Sequence, residues 1–408
     1  MSLNRRNFLL ASASAGFLWS HPVRAGQSGF TIVALGSFSG AKAAIGLDAL
    51  DGVNQALKDT GYRLANLEVR LEVDDDKGEP GAALALAKRK AGIEPIDVVM
   101  TALSPSALSQ VLPVFASAGV FVLNLGQSSQ SLADQGCSPW LFDLAGEDDG
   151  LHEAAGLALN GDGIKRVVVI GPDRPATDHA AAVLARTYQG QILATVKTGE
   201  GAATFGKELG AIRHSAPDAV YSLLTGGMSV AFVHGWGESE PTGRPKLYAP
   251  WTGFERTYLP AMGDAALGVI TIGTWAPDMD SPVNHRLVTG FEAEFGRTPT
   301  TWACHGFDAV NVLDGVLKQG QGKPMEKEAI RMALRRSELA SPRGPLKFNN
   351  NHFPVLSYWR RIVSRDAKGR LVNETKGAII RDWRSHSGAC PMHWEDQPVA
   401  AVIKKKGP

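Results

Sequence analysis

The stretch from Val98 to Ser131, VVMTALSPSALSQVLPVFASAGVFVLNLGQSSQS, constrains the fold more than any other part of the chain. Val98, Val99 and Met100 form a short apolar run, the pattern of a strand buried on both faces. Thr101 to Ser106 is a loop of small and hydroxyl residues. Ala107 to Ala118 carries apolar residues at helical spacing (Leu108, Val111, Leu112, Phe115) and stops at Gly119, a favoured helix terminator. Val120 to Leu125 is a second buried strand that runs into Gly126, Gln127, Ser128 and Ser129. Two parallel strands joined by one helix place both small-polar loops on the same edge of a sheet, and open α/β sheets bind ligands at that carboxyl edge. Each loop precedes a helix start, where backbone N–H groups lack partners and the dipole end is positive. Ser104, Ser106 and Ser128 add hydroxyl donors, so the pair of loops suits a small anionic group such as a carboxylate. The plainer reading, that these serines only cap helices, stands beside it.

The rest of the chain repeats the alternation of strand and helix. Phe30 to Leu35 is the first strand and enters Gly36-Ser37-Phe38-Ser39-Gly40. A helix with Ile45, Ala49, Val53 and Leu57 on one face follows and stops near Gly61. Leu67 to Val73 is a strand ending in Asp74-Asp75-Asp76, which reads as a solvated strand end because no EF-type spacing follows. Ala82 to Lys90 is a helix, and after the central pair Trp140 to Leu144 is a strand. The pattern then restarts with strands at Arg166 to Ile170, Gln191 to Val196, Ala219 to Leu224, Lys246 to Ala249 and Val269 to Thr274. Helices at Asp178 to Tyr188, Phe205 to His214 and Val230 to Trp236 lie between them. Two successive βα series predict an α/β fold of two doubly wound lobes. Ser281 to Phe295 and Asp308 to Leu317 are further helices. Pro345 to Phe348 and Val355 to Val363 are strands about an Asn-rich turn, and the stretch after Trp383 has no period.

Length and composition narrow the function classes. A chain of 408 residues, 44% hydrophobic and 20% charged, has core enough for two lobes. A net charge of +1 gives no electrostatic case for nucleic acid. Asn4-Arg5-Arg6-Asn7-Phe8-Leu9-Leu10 leads an apolar run to Trp19, and Val23-Arg24-Ala25 suits cleavage after Ala25. Residues 1–25 therefore read as an export signal of twin-arginine type, with general secretory export as the other route. No later stretch is long enough to span a bilayer, which predicts a soluble periplasmic protein. Cys137, Cys304 and Cys390 lack metal spacing. One disulfide, Cys137–Cys390, with one free thiol is one reading, and three unpaired thiols is the other. Neither βα series carries G-x-G-x-x-G after its first strand, nor a phosphate loop. The chain also lacks a G-x-S-x-G elbow and H-E-x-x-H, so no catalytic residue, metal or cofactor is assigned.

Several blocks together resemble the extracytoplasmic solute-binding proteins of ABC transporters, of the leucine/isoleucine/valine-binding type. They are GSFSGAKAAIGLDALDGVNQAL, EVDDDKGEPGAALALAKR, the central ALSPSALSQVLPVFASAGVFVLNLGQSS, and the late GFEAEFGRTPTTWACHGFDAVNVLDGVL followed by GPLKFNNNHF. The resemblance covers Phe30 to Arg381. It implies the type 1 periplasmic binding fold: two lobes joined by a multi-strand hinge, closing on a ligand and docking, as a monomer, on membrane permease subunits. On that pattern lobe 1 is 28–145 plus 277–351, lobe 2 is 146–276 plus 352–383, and 384–408 is a tail. The ligand carboxylate falls to Ser104 or Ser106 and to Gly126, Gln127 and Ser128. An aromatic of the first loop falls on Ile45. Tyrosines that help hold an ammonium fall on Ala176 and Thr225, its acidic partner on Trp251, and a side-chain-pocket aromatic on Trp302. An ammonium unpaired in a closed cleft is costly, so these departures favour a small carboxylate with an aromatic or apolar body, with a branched-chain amino acid as the alternative. Trp251 and Trp302, with Trp275 or His305, either face such a body or belong to the lobe core. A ligand sensor of the same fold is the competing function, and an extracytoplasmic hydrolase the more distant one.

Overall fold

The structure is a computed structural model and describes residues 29–392 apart from 41–42, 93–94, 239–244, 322 and 324. The export signal 1–25 and the basic end of the tail lie outside the described residues. Two parallel-core sheets, one per lobe, organise the chain.

The first sheet has the order β2-β3-β1-β4-β5-β6. Its strands are β1 (Phe30–Gly36), β2 (Arg63–Leu64), β3 (Leu67–Asp75), β4 (Val98–Ala102), β5 (Phe121–Asn124) and β6 (Leu141–Asp143). All pairings are parallel except β2 with β3. The helices between them are α1 (Ala43–Asp59), α2 (Ala82–Ala91), α3 (Pro105–Ser117) and the short α4 (Gln130–Ala133). Helix α3 starts two residues earlier than its apolar spacing suggests. Ser104 caps it, its Oγ accepting from the Ala107 N–H at 3.3 Å, and a proline fits the first turn.

The chain then passes through α5 (Asp149–Gly161) into the second sheet. There β7 (Arg166–Pro172), α6 (Pro175–Thr187), β8 (Gln191–Thr198), α7 (Gly206–Ser215), β9 (Ala219–Ser222), α8 (Gly226–Gly237), β10 (Lys246–Pro250), α9 (Leu259–Met262) and β11 (Ile270–Gly273) follow in turn. It returns to the first lobe for α10 (Pro282–Phe295), α11 (Thr301–Gln319), α12 (Lys327–Arg335) and the small hairpin β12 (Leu339–Ser341) and β13 (Gly344–Leu346). Two antiparallel strands, β14 (Leu356–Arg365) and β15 (Leu371–Trp383), complete the second sheet in the order β15-β14-β11-β10-β9-β7-β8.

Besides α12 and several short elements, two longer ones escaped the sequence pattern for physical reasons. Helix α5 is buried on nearly every side, from Asp149 to Leu159, so it shows no polar face. Strand β15 lies on a sheet edge with much of its length exposed, and its polar sequence LVNETKGAIIRDW lacks clean alternation.

Glycines set the closest helix contact. A Cβ on Gly52 of α1 would lie 2.0 Å from the Ala303 carbonyl oxygen, and one on Gly306 of α11 would lie 2.1 Å from that of Ala49. The two backbones touch, which only glycine permits. Because α11 is locked to α1 in this way, its first turn, with Trp302, is held at the mouth of the first sheet.

Cys137 pairs with Cys390, and Cys304 is a buried free thiol. The tail after β15 does more than cover the surface. Asn351 donates to the Ser385 hydroxyl at 2.8 Å, and the Ala389 N–H donates to Asp134 at 2.7 Å. The tail therefore leads from the second sheet back to the first lobe and is stapled there by the disulfide.

Candidate ligand-binding cleft

The carboxyl ends of both sheets border one cavity of about 390 Å³. Ser37, Ala102 to Pro105, Gly126 and Gln127 line it from loops after β1, β4 and β5. Thr225, Gly226, Thr252 and Tyr258 line it from loops after β9 and β10, and Ile45 and Trp302 complete the wall. A recess of about 100 Å³ shares Gln127, Thr225 and Thr252 with this cavity and adds Asp148, His152, Arg174 and Ala176.

Parallel topology brings helix starts here. The first turns of α1 (Ala44 to Gly46), α3 (Ser104, Pro105), α8 (Thr225, Gly226) and α11 (Trp302) border the cavity, and those of α5 (Asp148) and α6 (Arg174, Ala176) border the recess. Each carries a partial positive charge and N–H groups without intrahelical partners. The arrangement favours an anion. Several oriented dipoles from two lobes can oppose a negative charge there without a lysine or arginine in the main cavity.

The sequence-derived residues divide cleanly. Ile45, Ser104, Gly126, Gln127, Thr225 and Trp302 line the main cavity, and Ala176 lines the recess. Ser106, Ser128 and Trp251 do not line either. Ser106 is exposed, and its hydroxyl lies 3.2 Å from that of Ser104. Ser128 is turned inward to a buried polar chain: its hydroxyl donates to Asp143 and accepts from Asn124 at 3.0 Å. Asn124 also donates to Asp143 (2.7 Å) and to the Gly126 carbonyl (2.6 Å), and Thr101 donates to Asn124 (3.0 Å). Burial pushes the Asp143 carboxyl up to about 6 despite these donors. This chain fixes the loop after β5, and Gly126 lets it approach β4, since a Cβ there would meet the Leu103 carbonyl oxygen at 2.8 Å.

Trp251 packs behind Trp302 rather than into the cleft. Their ring centroids are 4.5 Å apart, and both meet His305 edge-on. The 3-10 turn that follows β10 sends this side chain toward the first lobe. His305 Nδ1 donates to the Leu125 carbonyl (2.9 Å), and burial keeps its imidazole well below its ordinary pKa, hence neutral. Trp275 lies elsewhere, fully buried with its indole N–H on Asn284 at 2.7 Å.

Five contributors, Ser37, Thr252, Tyr258, Asp148 and Arg174, were not read from the sequence. Ser37 donates to Asp76 at 2.7 Å, and the N–H groups of Phe38 and Lys77 donate to Asp75 at 2.8 Å. The triple Asp74-Asp75-Asp76 is thus a brace for the first βα loop, and Asp76 is buried rather than solvated. Tyr258 and Thr252 face the cavity from the second lobe. In the recess Asp148 is hydrogen-bonded by the Gln127 side chain, and burial with the adjacent Asp149 pushes its carboxyl up to about 6. Arg174, half-exposed, lowers it in opposition. An acid and a base thus share the recess, at the side of the site where an ammonium was expected to find no partner. The only available signal was position: Asp148 and Arg174 directly precede the helix starts after β6 and β7.

The periplasmic binding protein family matches residues 29–366, and the chain belongs to it. A Leu/Ile/Val-binding protein homolog from Brucella melitensis is 22% identical over 81% of this chain and 87% of its own length. A solute-binding protein of an ABC transporter from R. palustris, solved in complex with benzoate, superposes with a TM-score of 0.80 at 21% identity, over 90% of this chain and 100% of that one. A branched-chain amino acid transporter substrate-binding protein from Streptococcus pneumoniae, solved in complex with isoleucine, gives 0.74 at 16% identity, over 86% and 99%. At these identities the solved structures establish the fold: a two-lobed periplasmic binding protein of type 1.

Proposed function

We propose that this chain is the substrate-binding subunit of an ABC importer, taking up a small carboxylate with an aromatic or apolar body. The observation that carries the reading is the convergence of helix starts from both lobes on one cavity of about 390 Å³ with Trp302 in its wall. The carboxylate sits against Ser104, Gly126 and Gln127, and the body lies along Ile45 and Trp302. The lobes, 28–145 with 277–351 and 146–276 with 352–383, close on it by hinge motion. Export behind residues 1–25 by the twin-arginine route, a periplasmic location, a monomeric state and docking on permease subunits complete the proposal. No helix among the described residues is long and apolar enough to cross a membrane, which accords with it. The polar side chains of the main cavity are Ser37, Ser104, Gln127, Thr225, Thr252, Tyr258 and the Trp302 indole, a set suited to holding a ligand and without a nucleophile–base pair. We therefore read the chain as a binder and not an enzyme. Asp148 in the recess favours one second reading, a branched-chain amino acid whose ammonium meets that carboxylate. Arg174 beside it argues for the ammonium-free ligand.

A thermal-shift screen of the mature protein against benzoates, aliphatic carboxylates, branched-chain amino acids and amides tests the reading. A ligand at about 100 times its Kd adds roughly 2.7 kcal/mol, a shift of a few degrees for a domain of this size. Benzoates or simple carboxylates are expected to shift the protein more than leucine or isoleucine. A larger shift from leucine establishes the amino-acid reading, and turnover of any ligand removes both.

A further inference from the structure

A second cavity of about 460 Å³ shares no lining residue with the cleft. Its walls come from the Gly296 to Pro299 turn before α11, the segment 255–263, the residues after β11, and the turn between β14 and β15. Five arginines line it, Arg256, Arg297, Arg361, Arg365 and Arg370, against a single lining carboxylate, Glu255.

Arg361 is the telling residue. It is 1% exposed, its Nη1 donates to the Trp275 carbonyl at 2.5 Å, and its Nε and Nη2 have no hydrogen-bond partner. A guanidinium does not shed its proton, so these buried donors call for an acceptor. Glu255 is the charge partner of Arg361 but makes no hydrogen bond to its free donors, since it accepts from Thr301 at 2.6 Å, which turns one of its oxygens toward α11. The other arginines are held from behind. Arg297 pairs with Asp48 and Asp51 of α1, Arg365 with Asp264, and Arg370 with Asp366 (2.7 Å) and Glu292 (3.0 Å). Arg256 lies 3.5 Å from Asp48, and its Nε is also buried without a partner. None of these five partner carboxylates lines the cavity. The ion pairs hold Arg256, Arg297, Arg365 and Arg370 in place, and the Nε–Nη2 edge of Arg361 is left as the open fork, a geometry that matches bidentate binding of an oxyanion.

We propose that this cavity is a second ligand site, for a small oxyanion of two or more negative charges, phosphate- or carboxylate-based. Its floor is Arg361 and its rim is Arg365 and Arg370.

Isothermal calorimetry of the mature protein with inorganic pyrophosphate and with citrate, at constant ionic strength and with sodium chloride as control, tests it. One-to-one binding of either probe is expected, with chloride silent. Pyrophosphate alone marks a phosphate ligand and citrate alone a polycarboxylate. The paired rim substitution Arg365→Gln with Arg370→Gln leaves the core intact and should weaken binding at least tenfold. Ser104→Ala, in the cleft, should leave it unchanged. Absence of binding by both probes overturns the proposal, as does binding that survives the rim substitutions or is lost in Ser104→Ala.

Discussion

Three serines separate a ligand contact from a structural one. Ser104 lines the cavity and caps α3; Ser106 sits beside it, exposed; Ser128 is buried against Asp143. Ser104→Ala removes a hydroxyl donor to a charged group, on the order of 1.5–3 kcal/mol. It also removes an N-cap, about 1 kcal/mol of stability. At 1.4 kcal/mol per decade the first effect weakens binding roughly tenfold to a hundredfold, and the second lowers Tm by only a few degrees. Ser106→Ala should change neither by a measurable amount. Ser128→Ala leaves the buried Asp143 short of a donor and should cost about 1–3 kcal/mol of stability, with Kd moved less than by Ser104→Ala. Calorimetric titration of the three variants with the best carboxylate from the screen, alongside denaturant melts, gives both quantities. Unaltered binding by Ser104→Ala, or an equal loss from Ser106→Ala, would refute the placement of the carboxylate at the start of α3.

Asp148, raised to about 6 by burial and Asp149, ionises as pH rises through that value and adds a negative charge beside an anionic ligand. Carboxylate affinity should fall roughly tenfold between pH 5 and pH 8, and calorimetry of Asp148→Asn should show a flat profile. In stability the sign is the same: a raised acid pKa contributes stability that declines as pH rises from the unfolded value to the folded one. Cys390→Ser opens a crosslink spanning 253 residues and should cost about 2–4 kcal/mol. Thermal melts should show the same loss in wild type under reducing agent, because the remaining thiol, Cys304, is buried. Gly306→Val sets a side chain 2.1 Å from the Ala49 carbonyl oxygen and should destabilise by 1–3 kcal/mol or more. The same substitution displaces Trp302, so ligand affinity measured on the folded fraction should also drop.

The half of the site built from local pattern was legible in the sequence. Strand–loop–helix order alone places Ser104, Gly126 and Gln127 at a carboxyl edge, and the same order in the second series places Thr225 there. Side-chain direction was not legible. Whether Ser128 turns to ligand or to Asp143, and whether Trp251 faces the cleft or Trp302, depends on contacts between elements far apart in sequence. The Asp75 and Asp76 brace is of this kind too, since its partners, Phe38 and Ser37, lie 37 and 39 residues away. Arg174 and Asp148 become neighbours only when α5 and α6 align their first turns, which no periodicity announces. Helix α5 itself was invisible because a helix buried on nearly every side has no polar face to mark it.

The central claim is that helix starts from two lobes hold a carboxylate. Its most direct test is the affinity of the best carboxylate from the screen against its own carboxamide, by calorimetry at pH 7 and low salt. The two differ in charge and barely in shape. The account predicts binding at least tenfold tighter for the carboxylate, with the gap narrowing as salt is added. A carboxamide that binds within twofold of the acid would show that the cleft recognises the body of the ligand and that the convergent helix ends do not select an anion.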